Sequence, residues 1–385
     1  MKVQQICVVT GSRADYNYLK LIIEKIDKSP KLKVSLIVTG MHLLKTYGYT
    51  IDLIKKDNLP IAKVISMYDE NDPTELKLGE AVGNSIVKFV KALNELNPDL
   101  LIVLGDRIEP FVAVIAATTL KIPIAHVHGG DISGTLDETI RHAITKLSHL
   151  HFPATLKSAE RIKLLGEEEW RIHMVGSPTV DLILKESLLK KEEICQKLGL
   201  KATDSIVLCI QHPNVFESNQ AGAQMRITLQ VLKDLNLQTV VIYPNNDLGS
   251  QLIIEEIEHD KNTSNFKIFK NLTRVDYLSL LKNVDLLIGN SSGGLIETPL
   301  FKIPVVNIGT RNKDREKGDN VINVDYNYDE IKNAVQKALS ADFKKKSSKV
   351  VNPYGDGTAS DNIVKILEDL EITEDFLIKK LTYNV

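Results

Sequence analysis

The stretch Leu286–Glu297, LLIGNSSGGLIE, decides the fold class. A short apolar run stops at Gly289, turns through Asn290-Ser291-Ser292-Gly293-Gly294, and resumes as the helix-like Leu295-Ile296-Glu297. That is the pattern of strand, tight turn and helix. Small residues in such a turn let backbone N–H groups approach an anion, Ser291 and Ser292 add hydroxyl donors, and a helix N-terminus adds positive potential. The turn lacks the lysine of a P-loop and the spacing of a dinucleotide fingerprint, so an ATPase or NAD site is not expected.

Outward from this unit the same pattern repeats. Short β-branched runs are expected as strands at Ile6–Thr10, Val34–Thr39, Leu100–Leu104, Ile122–Val127, Ile206–Ile210, Val240–Tyr243, Leu286–Ile288 and Val305–Ile308. Helix-like segments fall between them: Tyr18–Ile26, Glu75–Leu96, Asp137–Leu147, Gln224–Leu235 and Tyr328–Leu339. Continuous apolar strands alternating with helices predict parallel sheets covered on both faces, an α/β class. At 385 residues the chain exceeds what one core serves, and the pattern occurs twice, so two Rossmann-like domains are expected. The linker is placed near Gly176-Ser177-Pro178, after a strand-like RIHMV and before the helix-prone Leu184–Leu198. This gives an N-terminal domain over 1–177, a C-terminal domain over 178–360, and a last helical stretch, 361–385, expected to cross back onto the first domain.

Charge excludes several classes of partner. Acids and bases nearly cancel to −2 and no long block of either sign occurs, which argues against nucleic-acid or membrane surfaces. Lys344–Lys346 with Lys349 reads as a solvated loop. No apolar segment is long enough to span a bilayer, and the N-terminal run is too short for a signal core. Cys7, Cys195 and Cys209 have no paired spacing and read as buried free thiols of a cytoplasmic protein.

Polar clusters stand directly after strands: Thr10–Asp15, Gly105-Asp106-Arg107, His128-Gly129-Gly130-Asp131, Gln211-His212-Pro213, Pro244–Asp247, Gly289–Gly294 and Gly309-Thr310-Arg311. Ligands of open parallel sheets bind beyond the carboxyl ends of the strands, so these clusters predict one shared interdomain cleft. Arg13, Arg107 and Arg311 suit pyrophosphate, although each alone reads as a surface ion pair. Glu297 suits ribose hydroxyls or a helix cap, and Asp137 is a helix N-cap candidate. Asp106, Asp137 and His212 supply proton-transfer chemistry. His126 and His128 would share a face for a metal only if their strand stayed regular to its end, and no metal is expected. Trp170 and Tyr243 read as packing residues.

Together, TGSRADYNYLK, VTGMHLLKTYG, GDRIEP, SGTLDETIRHAITKLSHLHF, VGSP, IYPNNDLG, IGNSSGGLIETPL and NIGTRNKDREKG resemble the hydrolysing UDP-N-acetylglucosamine 2-epimerases of sialic-acid synthesis. The resemblance spans nearly the whole chain. It implies a glycosyltransferase-B-like fold, a UDP-sugar substrate, no cofactor, and a homodimer or homotetramer. It also implies anti elimination of UDP through 2-acetamidoglucal and hydration to N-acetylmannosamine. Carried over by position, Arg13, Asn17, Arg107, His212, Asn245, Leu272, Ser291, Ser292, Glu297 and Arg311 hold UDP, while Asp106, Asp137 and His212 are catalytic. Where the family has an acid, this chain has His128, with Asp131 three residues on as a possible substitute carboxylate. Imidazole still serves as an acid or base near neutral pH.

Other readings share the fold: a hydrolysing epimerase of UDP-2,4-diacetamido-trideoxy sugars, an epimerase that retains UDP, a glycosyltransferase, or a nucleotide-sugar sensor.

Overall fold

Along each central strand alternate side chains face opposite ways, and here both sets are apolar. Ile6 and Val8 enter one core cluster while Cys7 and Val9 enter another. Val207 and Cys209 likewise part from Ile206, Leu208 and Ile210. A strand buried on both faces must lie inside a sheet with helices above and below.

A computed structural model describes residues 3–68, 75–132, 137–245 and 247–383. The chain forms two units: Met1–Leu184 with Tyr354–Val385, and Lys185–Pro353. The first holds β1 (Gln4–Thr10), β2 (Leu32–Thr39), β3 (Ile61–Ile65), β4 (Leu100–Leu104), β5 (Ile124–Val127) and β6 (Leu150–Phe152), all parallel, in the order β3-β2-β1-β4-β5-β6. The second holds β7 (Ile206–Ile210), β8 (Gln238–Ile242), β9 (Phe266–Phe269), β10 (Leu286–Gly289), β11 (Val305–Ile308) and β12 (Val321–Val324), parallel in the order β12-β11-β10-β7-β8-β9. Both repeat the doubly wound order, whose direction reverses between the first and fourth strands of each sheet. Those switch points lie between β1 and β4, and between β7 and β10.

The switch from one unit to the other falls after the helix Pro178–Lys185 has begun, a few residues beyond the expected 177, and the return begins at Tyr354 rather than at 361. The Asp181 carboxylate explains both shifts, because it accepts the backbone N–H groups of Ala359 and Ser360 at 3.2 and 2.6 Å. Ile363, Val364, Leu367 and Phe376 complete the core cluster of Ile6 and Val8.

Several local expectations are corrected. Arg171–Val175 is not a strand; only a single bridge joins Ile172 to His151. Leu184–Leu198 is two helices, Pro178–Lys185 and Lys191–Leu198. The terminal helical stretch is Ala359–Asp369 followed by the short turn Glu374–Leu377. Lys344–Lys346 lie in a helix, Ala341–Ser347, capped by Ser340, with Lys344 paired to Asp285 at 2.6 Å. Trp170 is exposed and stacks beside the Arg171 guanidinium, 4.1 Å from its ring centroid. The three cysteines are free and buried, and burial pushes Cys7 and Cys209 up to about 12. Among the described residues no helix is long and apolar enough to cross a membrane.

Candidate active site

In the first unit the groups gather at the carboxyl ends of β1, β4 and β5. Ser12 caps the helix Arg13–Lys28 by accepting the Asp15 N–H, which puts Arg13, exposed, at the first helical position and Asn17 one turn on. After β4, Asp106 and Arg107 lead into the helix Ile108–Thr119. Arg107 folds back on the buried Glu109, with Nε and Nη2 donating to its two oxygens at 3.2 and 3.4 Å. Burial, opposed by the Arg107 guanidinium and reinforced by the Glu109 charge, pushes Asp15 up to about 6.

β5 ends at Val127, and His128 has a left-handed φ of 62°. The alternation therefore stops, so His126 and His128 do not share a face. His126 Nε2 lies 2.8 Å from the Gly105 carbonyl, which can only accept, so that nitrogen carries the proton and Nδ1 accepts from Thr145. Burial lowers His126 to about 3. His128 places Nδ1 3.0 Å from Asp131 Oδ2 and Nε2 3.0 Å from Ser177 Oγ. Asp131 also accepts the Ser158 hydroxyl at 2.7 Å. Burial raises its pKa, but the His128, Ser158 and Arg141 contacts together outweigh that and the net shift is downward. Arg141 joins the cluster, donating to the Asp131 carbonyl at 2.5 Å and to the Asp106 carboxylate. Asp137 opens the helix Asp137–Leu147, but its side chain lies outside the described residues. Among the described residues no three His, Cys, Asp or Glu side chains are placed to hold a metal ion.

In the second unit the groups follow β7, β8, β9, β10 and β11. Asn290 organises them and was not singled out by the sequence. Fully buried, it exchanges two bonds with the His212 backbone, at 2.6 and 2.9 Å, while its own carbonyl accepts from Arg311 Nη1 and Asn312 Nδ2 at 3.2 and 2.9 Å. Gly289 makes this possible: a Cβ there would lie 2.0 Å from the Ile210 carbonyl oxygen. His212 Nδ1 accepts the Asn245 N–H at 3.0 Å, so Nε2 carries the proton. Burial, helped by the Arg311 charge, lowers His212 to about 4. Asn246, next to Asn245, lies outside the described residues.

Ser291 and Ser292 are half-buried before a helix of only four residues, Gly293–Ile296, so the helix N-terminus expected to supply positive potential belongs to a single turn. Glu297 interrupts that helix and Thr298–Phe301. Its carboxyl accepts the Tyr277 hydroxyl at 2.7 Å, and burial holds its pKa above the ordinary range. It is therefore a held carboxyl rather than a side-chain cap. Leu272, between β9 and the helix Arg274–Asn283, packs against the core. The residues to which the sequence reading gave no role, Glu109, Arg141, Ser177, Tyr277 and Asn290, act through side-chain contacts, most of them distant in sequence, although Glu109 stands only two residues from Arg107. Asn290 stood inside a quoted turn and Ser177 inside the quoted linker.

Doubly wound parallel units with arginines, serines and histidines beyond their strand ends define a nucleotide-binding α/β protein of the two-Rossmann-unit class. The profile described as UDP-N-acetylglucosamine 2-epimerase matches residues 24–368. A UDP-N,N'-diacetylbacillosamine 2-epimerase (hydrolyzing) of Legionella pneumophila is 37% identical over 99% of this chain and 100% of its own length. A UDP-N-acetylglucosamine 2-epimerase of Neisseria meningitidis is 34% identical over 88% of each. In fold, the crystal structure of UDP-GlcNAc 2-epimerase from Neisseria meningitidis bound to UDP-GlcNAc is similar with a TM-score of 0.80, at 19% identity, covering 95% of this chain and 100% of that one. The chain belongs to the UDP-N-acetylglucosamine 2-epimerase family.

Proposed function

We propose that this protein is a hydrolysing 2-epimerase that releases UDP and a free, C2-inverted sugar from a UDP-linked 2-acetamido sugar. The observation that carries the reading is His128 held by Asp131 beside the Asp106–Arg141 pair, a proton-transfer cluster in a family whose reaction is epimerisation at C2. In the first step the C2–H bond breaks and its proton passes to a base. The electron pair forms the C1–C2 double bond, and the C1–O bond breaks with its electrons leaving on UDP. Water then adds its oxygen to C1 while C2 is protonated on the opposite face.

Ser291, Ser292 and Arg311 of the second unit would take up the charge gained by the departing phosphate, at about 3 kcal/mol per well-placed donor. His212, neutral and protonated on Nε2, suits donation to that phosphate. Asn245, Leu272 and Glu297 of the same unit would hold the nucleoside. Full-length identity to the Legionella enzyme favours a 2,4-diacetamido sugar over UDP-N-acetylglucosamine as substrate.

The test is incubation with each UDP-sugar in deuterium oxide, followed by proton NMR. Free sugar deuterated at C2, together with UDP, supports the reading, and the faster substrate identifies the sugar. An epimer still attached to UDP would replace it with a UDP-retaining epimerase. Saturable binding without turnover would overturn catalysis altogether.

A further inference from the structure

Where β11 ends at Ile308 the chain turns twice in quick succession. The Lys313 N–H donates to the Thr310 carbonyl at 3.0 Å, and the Arg315 N–H to the Asn312 carbonyl at 3.3 Å. Side chains pin this segment to the second unit. Buried Asn312 donates to the Asn290 carbonyl at 2.9 Å and to the Asn307 side-chain oxygen at 3.1 Å. The Thr310 hydroxyl donates to Glu217 at 3.1 Å and accepts from Asn214 at 3.0 Å. The two turns bring Arg315 back towards Arg311, near enough for its charge to act on that guanidinium.

The fold neutralises neither arginine. Among the described residues Arg311 makes one hydrogen bond, to the Asn290 carbonyl at 3.2 Å, the Arg315 side chain makes none, and no carboxylate pairs with either. Asp247 acts on Arg311 only from a distance. A solvated surface arginine would need no partner, but Arg315 is half-buried and its Nε is shut away from water without an acceptor. A buried donor left unpaired is costly, and a like charge beside it adds repulsion. Its Nη nitrogens remain open to a ligand.

We propose that Arg315 is a second phosphate ligand, forming with Arg311 a clamp of two guanidinia for the diphosphate of the UDP-sugar; this rests on the function proposed above. In such a substrate each phosphate carries a negative charge, and a further charge develops on UDP as it departs. Two planar forks side by side match two adjacent phosphates better than one does. Arg311 is tethered to Asn290, next to Ser291 and Ser292, whereas Arg315 has no bond to break before it turns onto the anion. Burial lowers the Arg311 pKa, the Arg315 charge adds to that, and Asp247 and Tyr326 oppose it without reversing it. That direction belongs to a guanidinium beside another with no anion between them.

The experiment titrates the full chain with UDP by calorimetry, as wild type, Arg315→Gln and Arg315→Lys, and records each melting temperature without ligand. Arg315→Gln should weaken UDP binding about tenfold or more. Arg315→Lys, which keeps the charge but not the fork, should recover part of that loss. Without ligand, the melting temperature of Arg315→Gln should lie between that of wild type and about 2 °C above it, since repulsion is removed and no bond to the fold is broken. Raising sodium chloride from about 0.05 to 0.5 M should weaken UDP binding less in Arg315→Gln than in wild type, because one charge fewer faces the phosphates. Unchanged UDP affinity in Arg315→Gln, or a salt dependence equal to that of wild type, overturns the clamp and leaves the epimerase reading intact. So does a melting temperature lowered by more than about 5 °C, which would make Arg315 part of the fold rather than of the site. If the wild type binds no UDP, the nucleotide site fails, and the functional reading with it.

Discussion

A methyl group on Gly40 would lie 2.6 Å from Glu109 Oε1. Gly11 meets the same side chain, at 2.7 Å from its Cβ. The two glycines end β1 and β2, so the loops beyond the sheet close around a buried carboxylate that holds Arg107. Gly40 also has φ +59°, a conformation costly for any residue with a Cβ. Gly40→Ala should therefore destabilise the first unit by about 2 kcal/mol or more. In a Glu109→Ala background the cost should shrink, since the collision disappears and only backbone strain and the Gly11 carbonyl remain. Urea unfolding of the four proteins in a double-mutant cycle measures that coupling, and additive losses would refute it.

The end of the chain depends on Arg171. This guanidinium is buried and donates to the carbonyls of His149, Phe376 and Ile378 at 3.1, 2.9 and 3.0 Å, with Glu168 paired to its Nε at 2.8 Å. Lys379 adds a pair to the buried Glu167 at 2.7 Å. Arg171→Met leaves three carbonyls short of a donor and should cost about 3 kcal/mol. Limited proteolysis should then cut within 371–383 well before the rest of the chain, and cleavage unchanged from wild type would remove Arg171 from this role.

Acid should weaken the fold. His126 is lowered to about 3, and His42, His149 and His212 to about 4, in each case chiefly by burial. Between about pH 6.5 and 4 the unfolded chain binds protons that these native imidazoles refuse, so their contribution is complete above 6.5 and is lost as pH falls through that window. Asp15, raised to about 6, works the other way between about 4 and 6, and Glu297, also raised by burial, opposes in the same sense, but these are two groups against four. The melting temperature should drop by about 5 °C or more from pH 7.5 to 5. A flat profile would contradict the buried neutral histidines.

Arg311→Ala should weaken UDP binding more than about tenfold in calorimetry while the melting temperature stays within about 2 °C. Among the described residues its one hydrogen bond to the fold is the 3.2 Å contact with the Asn290 carbonyl, which Asn312 also serves, so its loss leaves that oxygen satisfied. Unchanged affinity would take Arg311 out of the nucleotide site.

The eight β-branched runs form strands, while the strand-like Arg171–Val175 does not, and the eight include the four central strands of the two sheets, β1, β4, β7 and β10. They are continuous apolar runs because helices cover both faces. The four strands that went unread, β3, β6, β9 and β12, are the sheet edges. Three of them mix exposed residues with half-buried or buried ones, and β6 has only three residues, so none presents an apolar run of readable length.

The polar clusters after the strands were legible for the same reason: a run that stops at Gly, Asp or His marks a strand's carboxyl end. The amino-acid order alone determined the α/β class, the repetition of the unit, the family resemblance and the candidate residues from Arg13 to Arg311. Tertiary structure decided how those residues are held: Arg107 by Glu109, Asp106 by Arg141, His212 by Asn245, and His128 between Asp131 and Ser177. Partners such as His128 and Ser177 lie 49 residues apart, and a tautomer or a carboxyl pKa is set by whichever group packing brings within about 3 Å, which no local pattern encodes.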